Sequence, residues 1–141
     1  MQFDYLRARE VPLQQILVVD DESMVRRFAA RILSEGGYGV VEAGDGAEAL
    51  DLVVRESPPL DLVLTDIMMP RLSGVELLEH LSVVAPGLPV VLMSGFSAGD
   101  LTTHGVSVPC GLLAKPFPPD RLLDEVRRCL EQPRMRSGAK S

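Results

Sequence analysis

Short runs of consecutive apolar residues recur along the chain, separated by segments whose apolar positions fall three and four apart. The runs are too short for helices and read as buried strands, and the segments between them read as helices that cover a sheet. The first run, Ile16-Leu17-Val18-Val19, ends at Asp20-Asp21. The helix after it puts Val25, Phe28, Ala29, Ile32 and Leu33 on one predicted buried face, with Ser23 as its expected cap and Gly36-Gly37 as its stop. Tyr38 to Ala43 reads as a second strand. A second helix, from about Gly46 to Glu56, is expected to bury Leu50, Val53 and Val54 before Pro58-Pro59 prevents its continuation.

The rhythm continues. Leu62-Val63-Leu64 is a third strand leading into Thr65-Asp66, and a third helix begins near Ser73 with Val75, Leu78, Leu81 and Val84 as its expected inner face. Val90 to Met93 is a fourth strand, closed by Ser94-Gly95. A fourth helix is expected between Phe96 and Gly105, although Gly99 and Gly105 weaken it. Gly111 to Ala114 is a fifth strand, cut by Lys115-Pro116, and a final helix from about Pro119 to Leu130 is expected to bury Leu122, Leu123, Val126 and Leu130. This strict alternation predicts an α/β domain built on one doubly wound parallel sheet with helices on both faces. The domain is expected to span residues 15–132, after an N-terminal extension of residues 1–14. Residues 133–141, with Arg134, Arg136 and Lys140, form a basic tail.

Composition narrows the possible partners. The 141 residues suit one domain, and 20 acidic against 14 basic side chains give a net charge of −6. That balance argues against direct nucleic-acid binding, which needs a basic surface to displace counterions. No apolar run approaches the ~20 residues that span a bilayer. Residues 1–15 lack the apolar core of a signal peptide, so no membrane association and a cytoplasmic location are expected. Cys110 and Cys129 have no companion ligands at metal spacing. They are expected to be reduced and structural, with a disulfide as the lesser alternative.

Ligands of an open parallel sheet bind at the carboxyl ends of its strands. Those ends carry Asp20-Asp21, Asp66, Ser94 and Lys115. Each residue alone has a commoner structural use: an acid after a strand caps the next helix, a serine before glycine makes a turn, a lysine before proline is a solvated charge. Together, at one edge, they point to chemistry. Clustered carboxylates repel one another and Lys115 answers only one of them. A hard divalent cation with oxygen ligands makes up the deficit, Mg²⁺ by preference and Mn²⁺ as a substitute. The lack of nearby His or Cys argues against zinc. Such a site suits phosphoryl transfer, with Asp66 as the nucleophile that forms an acyl phosphate.

The segments Ile16 to Glu22, Asp66-Ile67-Met68-Met69-Pro70 through Gly74, Met93-Ser94-Gly95 and Lys115-Pro116-Phe117 resemble the receiver domain of two-component response regulators. The resemblance implies a five-stranded flavodoxin-like fold with strand order 2-1-3-4-5. It implies that Asp66 accepts a phosphoryl group from a phosphohistidine on a sensor histidine kinase or a histidine phosphotransfer domain. Asp20, Asp21, Asp66 and the backbone carbonyl of Met68 would hold the Mg²⁺, Asp20 partly through water. Lys115 would pair with the phosphoryl group, Ser94 would hydrogen-bond to it, and the Lys115-Pro116 bond would be cis. The chain would be a phosphoacceptor with its own phosphorylation and dephosphorylation chemistry, not an enzyme otherwise, and a monomer or weak homodimer. Its partner would dock near Met24 and Val25, with Phe117 and Pro118 nearby. The wording of Leu92 to Phe96 and Leu112 to Phe117 resembles receivers of hybrid histidine kinases, and a stand-alone protein and an excised receiver both remain open.

Two departures bear on signalling. Leu112 stands where regulators with an aromatic switch carry Tyr or Phe, and the expected fourth helix is broken by glycines. A phosphoryl acceptor or relay is therefore expected more than a conformational switch. Phe96 and Met68, beside the site, either shield the acyl phosphate from water or simply pack. Two other readings stand beside this one. Gly44-Asp45-Gly46-Ala47-Glu48-Ala49 fits the G-x-G-x-x-A dinucleotide pattern, although Glu42, Asp45 and Glu48 would crowd a pyrophosphate and the motif follows the second strand. An interaction module that is never phosphorylated is the other.

Overall fold

The computed structural model describes residues 13–55, 59–95 and 109–132. The elements are β1 (Gln15–Val19), α1 (Ser23–Glu35), β2 (Gly39–Ala43), α2 (Gly46–Arg55), β3 (Leu62–Asp66), α3 (Gly74–Val84), β4 (Val90–Ser94), β5 (Gly111–Ala114) and α4 (Pro119–Glu131). All strand pairings are parallel and the order is β2-β1-β3-β4-β5. The doubly wound flavodoxin-like fold is thus as expected. The expected helix between Phe96 and Gly105, the end of the second helix at Glu56, residues 1–12 and the tail 133–141 lie outside the described residues.

The central strands are buried from both sides, which is why they read as unbroken apolar runs. Ile16, Val18, Leu62, Leu64, Val91, Met93 and Leu113 face α1 and α4. Leu17, Val19, Val63, Val90 and Leu92 face α2 and α3. Alternation along each strand therefore builds two cores back to back, and burying each large side chain stabilises by about 1.5–3 kcal/mol.

Helix faces depart from expectation where one side of a stripe meets solvent. On α1 the buried residues are Ala29, Ala30, Ile32 and Leu33, while Phe28 is half exposed and stacks on Phe117 with ring centroids 6.3 Å apart. On α2, Ala49 and Val53 are buried but Val54 is exposed. On α3 Leu78 and Leu81 are buried as expected and Leu77 joins them, while Val75 is half-buried and Val84 is exposed. There Ser73 Oγ accepts from the Glu76 N–H at 3.1 Å, and Glu76 Oε1 accepts from the Ser73 N–H at 2.9 Å. Ser23 does not cap α1. It is already helical, and Glu22 occupies the cap position with no side-chain bond.

The cysteines correct another expectation. Cys110, just before β5, and Cys129, on the buried face of α4, are joined in a disulfide with Cα atoms 6.0 Å apart. The βα turn folds the last helix back along its own strand, so two residues 19 apart in sequence meet. Spacing alone does not show this.

Candidate functional site

Asp20 and Asp21 follow β1, Asp66 ends β3, Ser94 ends β4 and Lys115 follows β5. The parallel sheet brings all five to one edge. Asp20, Asp66 and Ser94 are buried, whereas Asp21 is exposed. Carboxylate oxygens of Asp20, Asp21 and Asp66 all lie within 4.8 Å of one another, and among the described residues neither His nor Cys joins them. Lys115 Nζ reaches across, 3.0 Å from Asp20 Oδ2 and 3.4 Å from Asp66 Oδ1.

Backbone bonds fix each group. The Asp20 N–H donates to the Ala43 carbonyl at 3.2 Å, and Asp20 Oδ1 accepts from the Glu22 N–H at 2.9 Å. The Lys115 N–H donates to the Ser94 carbonyl at 2.7 Å, tying two site residues together through the ladder, and the Lys115-Pro116 bond is cis. Beyond β3, the Ile67 N–H donates to the Met93 carbonyl at 3.0 Å and the Gly74 N–H to the Ile67 carbonyl at 2.8 Å. Gly74 is required by close approach: a Cβ there would run into the Asp66 carbonyl oxygen.

Arg26 was not among the residues singled out in the sequence. Its Nη1 donates to the Asp20 carbonyl at 2.8 Å and its Nε pairs with Glu42 Oε1 at 2.9 Å, so it braces the end of β1 against β2. A hint is legible in retrospect: Arg26 lies one helical turn past Glu22, where α1 begins to pack over the strand ends.

The electrostatics follow from burial. Burial pushes the Asp66 carboxyl up from its ordinary value and the Asp20 charge adds to this, while Lys115 opposes. Burial alone would lower the Lys115 ammonium, but its hydrogen bond to Asp20 and the charges of Asp20 and Asp66 outweigh that and raise it. Three carboxylates face one ammonium, and the remaining demand is for a hard cation with oxygen ligands. This donor set fits Mg²⁺. Met68 donates its backbone N–H to Asp66, and its side chain is exposed.

The glycine motif at Gly44 is a helix start. The Gly44 N–H donates to Glu48 Oε1 at 2.9 Å and the Glu48 N–H to Asp45 Oδ1 at 2.8 Å, so carboxylates hold donors that a pyrophosphate would need. Among the described residues, no helix is long and apolar enough to cross a membrane.

A five-stranded parallel sheet in this order, with an acidic cluster and a lysine at its carboxyl edge, defines the phosphoacceptor module of two-component signalling. The chain belongs to the response regulator receiver domain family, whose family model matches residues 16–127. Sporulation initiation phosphotransferase F of Bacillus subtilis is 34% identical over 120 residues, covering 83% of this chain and 94% of that protein. Response regulator MprA of Mycolicibacterium vanbaalenii is 37% identical over 126 residues, but the match covers 54% of its length, so the chain spans about half of such relatives. Among solved structures, the receiver domain of NtrX from Brucella abortus superposes with a TM-score of 0.74 at 35% identity, over 84% of this chain and 99% of that one. The receiver domain of the hybrid histidine kinase CckA gives 0.70 at 34% identity, over 83% and 99%. Receiver domains bind Mg²⁺ at an acidic cluster of this kind and interact with histidine kinases or phosphotransfer proteins.

Proposed function

We propose that Asp66 is the phosphoacceptor and that this chain relays a phosphoryl group in the cytoplasm, through protein contact. The observation that carries the reading is the placement of Lys115 between Asp20 and Asp66, with Asp21 beside them. In the transfer, a carboxylate oxygen of Asp66 attacks phosphorus. The P–N bond of the partner's phosphohistidine breaks as the new P–O bond forms, and the imidazole leaves. Lys115 holds a positive charge where the phosphoryl oxygens arrive, and Ser94, on the neighbouring strand end, is placed to donate a hydrogen bond to one of them. Asp20, Asp21, Asp66 and the Met68 carbonyl would hold Mg²⁺. When bound, it supplies the charge that lets an anionic donor approach three carboxylates.

Asp66 lies at the carboxyl edge of the sheet two residues before Met68, whose side chain is exposed. Hydrolysis there returns the carboxylate and completes the only chemistry proposed for the chain, which is otherwise not an enzyme. The partner is a histidine kinase or histidine phosphotransfer domain, docked over Met24 and Val25 of α1, where Met24 is exposed and Phe28 stacks on Phe117. The chain itself acts as a monomer or weak homodimer. Leu112, half-buried in β5 and packed against the α2–α3 core, offers no ring to rotate, which supports relay over switching.

The test is acetyl phosphate labelling of the wild type and Asp66→Asn, each with and without Mg²⁺. Label is expected only in the wild type and only with the metal. Label retained by Asp66→Asn, or formed after chelation, would overturn the assignment.

A further inference from the structure

The acid cluster accounts for one edge of the sheet. At the opposite end of β5, about 13 Å away for a four-residue strand, lies a second reactive pair. We propose that Cys110 and Cys129 form a reversible dithiol–disulfide site, exchanging with low-molecular-weight thiols and disulfides, whose oxidation state sets how firmly the Lys115 turn is held.

Three observations carry this. First, the sulfurs differ in access: Cys129 is buried at 2% exposure, whereas Cys110 is only partly buried at the mouth of β5. An incoming thiolate therefore reaches the Cys110 sulfur, and Cys129 is the leaving group. Second, the pair stays aligned without its covalent bond. Arg128 Nη2 donates to the Cys110 carbonyl at 2.8 Å and to Glu125 Oε2 at 2.7 Å, so an ionic clamp on α4 holds the start of β5 in place for reclosure. Third, the closed ring runs from Cys110 to Cys129 and contains all of β5, Lys115, Pro116, Phe117 and most of α4. The strand and turn that bear Lys115 are inside it, while β4 pairs with that strand from outside.

The exchange balances. A small thiolate attacks the Cys110 sulfur, the S–S bond breaks, and its electron pair goes to Cys129, which takes up a proton. A second small thiolate attacks the mixed disulfide on Cys110 at its outer sulfur and departs as the small disulfide, and the Cys110 sulfur takes up a proton. The protein gains two electrons and two protons. In reverse, a low-molecular-weight disulfide is the oxidant and two small thiols are released. Reduction returns chain freedom to the ring, and the loss falls on the β5–α4 unit because only that unit is enclosed.

The test equilibrates the whole chain with defined ratios of glutathione and glutathione disulfide, followed by alkylation and intact mass. Two interconverting species are expected, one with no alkylation and one with two. The oxidised form should melt about 10 °C higher. Peptides covering residues 111–129 should exchange amide hydrogens at least about tenfold faster when reduced, with β1 and β3 little changed. Cys110→Ser should melt like the reduced protein, ignore reductant, and leave Cys129 slow to alkylate in the folded state. Two free thiols at every ratio would overturn the proposal, as would equal exchange of residues 111–129 in both states. These readouts do not involve Asp66, so they stand or fall independently of the phosphoacceptor assignment.

Discussion

Lys115 is nearer to Asp20 than to Asp66, with Nζ 3.0 Å from Asp20 Oδ2 and 3.4 Å from Asp66 Oδ1. The ammonium answers the more deeply buried carboxylate first, and Asp66 keeps a net burial penalty. Lys115→Met should therefore destabilise the metal-free fold, towards the lower end of the ~3–5 kcal/mol seen when one partner of a buried pair is removed. Urea titrations should show much of this loss restored by Mg²⁺. A variant as stable as the wild type without metal would contradict the pairing.

The raised Asp66 carboxyl has a definite sign in stability. A carboxyl raised in the fold binds its proton more tightly there than in the unfolded chain, so its contribution is fully present at low pH. It is lost as pH rises through the folded value. At neutral pH without metal, Asp66→Asn should melt above the wild type, and the gain should shrink in acid, where Asp66 is itself protonated. Melting curves of both proteins across that range check this. A lower melting temperature for the asparagine variant at neutral pH would refute it.

Gly74→Ala should damage the site from behind. The added methyl meets the Asp66 carbonyl oxygen and comes within 2.9 Å of Ile67 Cα, so the end of β3 must move. A stability loss of about 1–3 kcal/mol is expected, together with a fall in acetyl phosphate labelling that re-stabilising additives do not restore. Gly37→Ala is the control. Its φ of +100° makes alanine strained at a cost of about 1 kcal/mol, yet no atom lies within 4 Å of its Cβ and labelling should be unchanged.

Arg26→Ala should weaken Mg²⁺ binding by about tenfold, the usual effect of removing a group that orients metal-ligating residues. It frees the Asp20 carbonyl and leaves Glu42 unpaired near the acid cluster. Arg26→Lys should recover part of the affinity, because one ammonium cannot serve both acceptors in the fork geometry. Metal titration followed by calorimetry distinguishes the two variants.

Much of the architecture was legible because the strands are buried on both faces. Ile16 to Val19 and Val90 to Met93 have no polar alternation to mislead, and the acids that close β1 and β3 fall where parallel sheets place their ligands. Asp20, Asp21, Asp66 and Lys115 could thus be grouped from sequence, and the structure brings them together. Helix faces were harder. Phe28 and Val54 fit a helical stripe by spacing, but a stripe does not say how far around the helix the sheet reaches. The Cys110–Cys129 bond and the Arg26 brace escaped because both depend on how a helix folds back over a strand, which local pattern does not encode. The start of α3 at Ser73 was legible, and the capping box with Glu76 is what fixes it.

Lys115 and Asp20 stand 95 residues apart, at nearly opposite ends of the domain's sequence. Asp66 sits between them in the chain, on a strand that pairs with β1 and β4, while β5 lies at the edge. A chain that stops short of β5 therefore contains all three carboxylates but not the ammonium that pairs with two of them. The ammonium of the site arrives with the last strand of the sheet to be synthesised. The contacts of Lys115 with Asp20 and Asp66 thus tie the edge strand of the sheet to its two central strands, and they exist only in a sheet complete on that side.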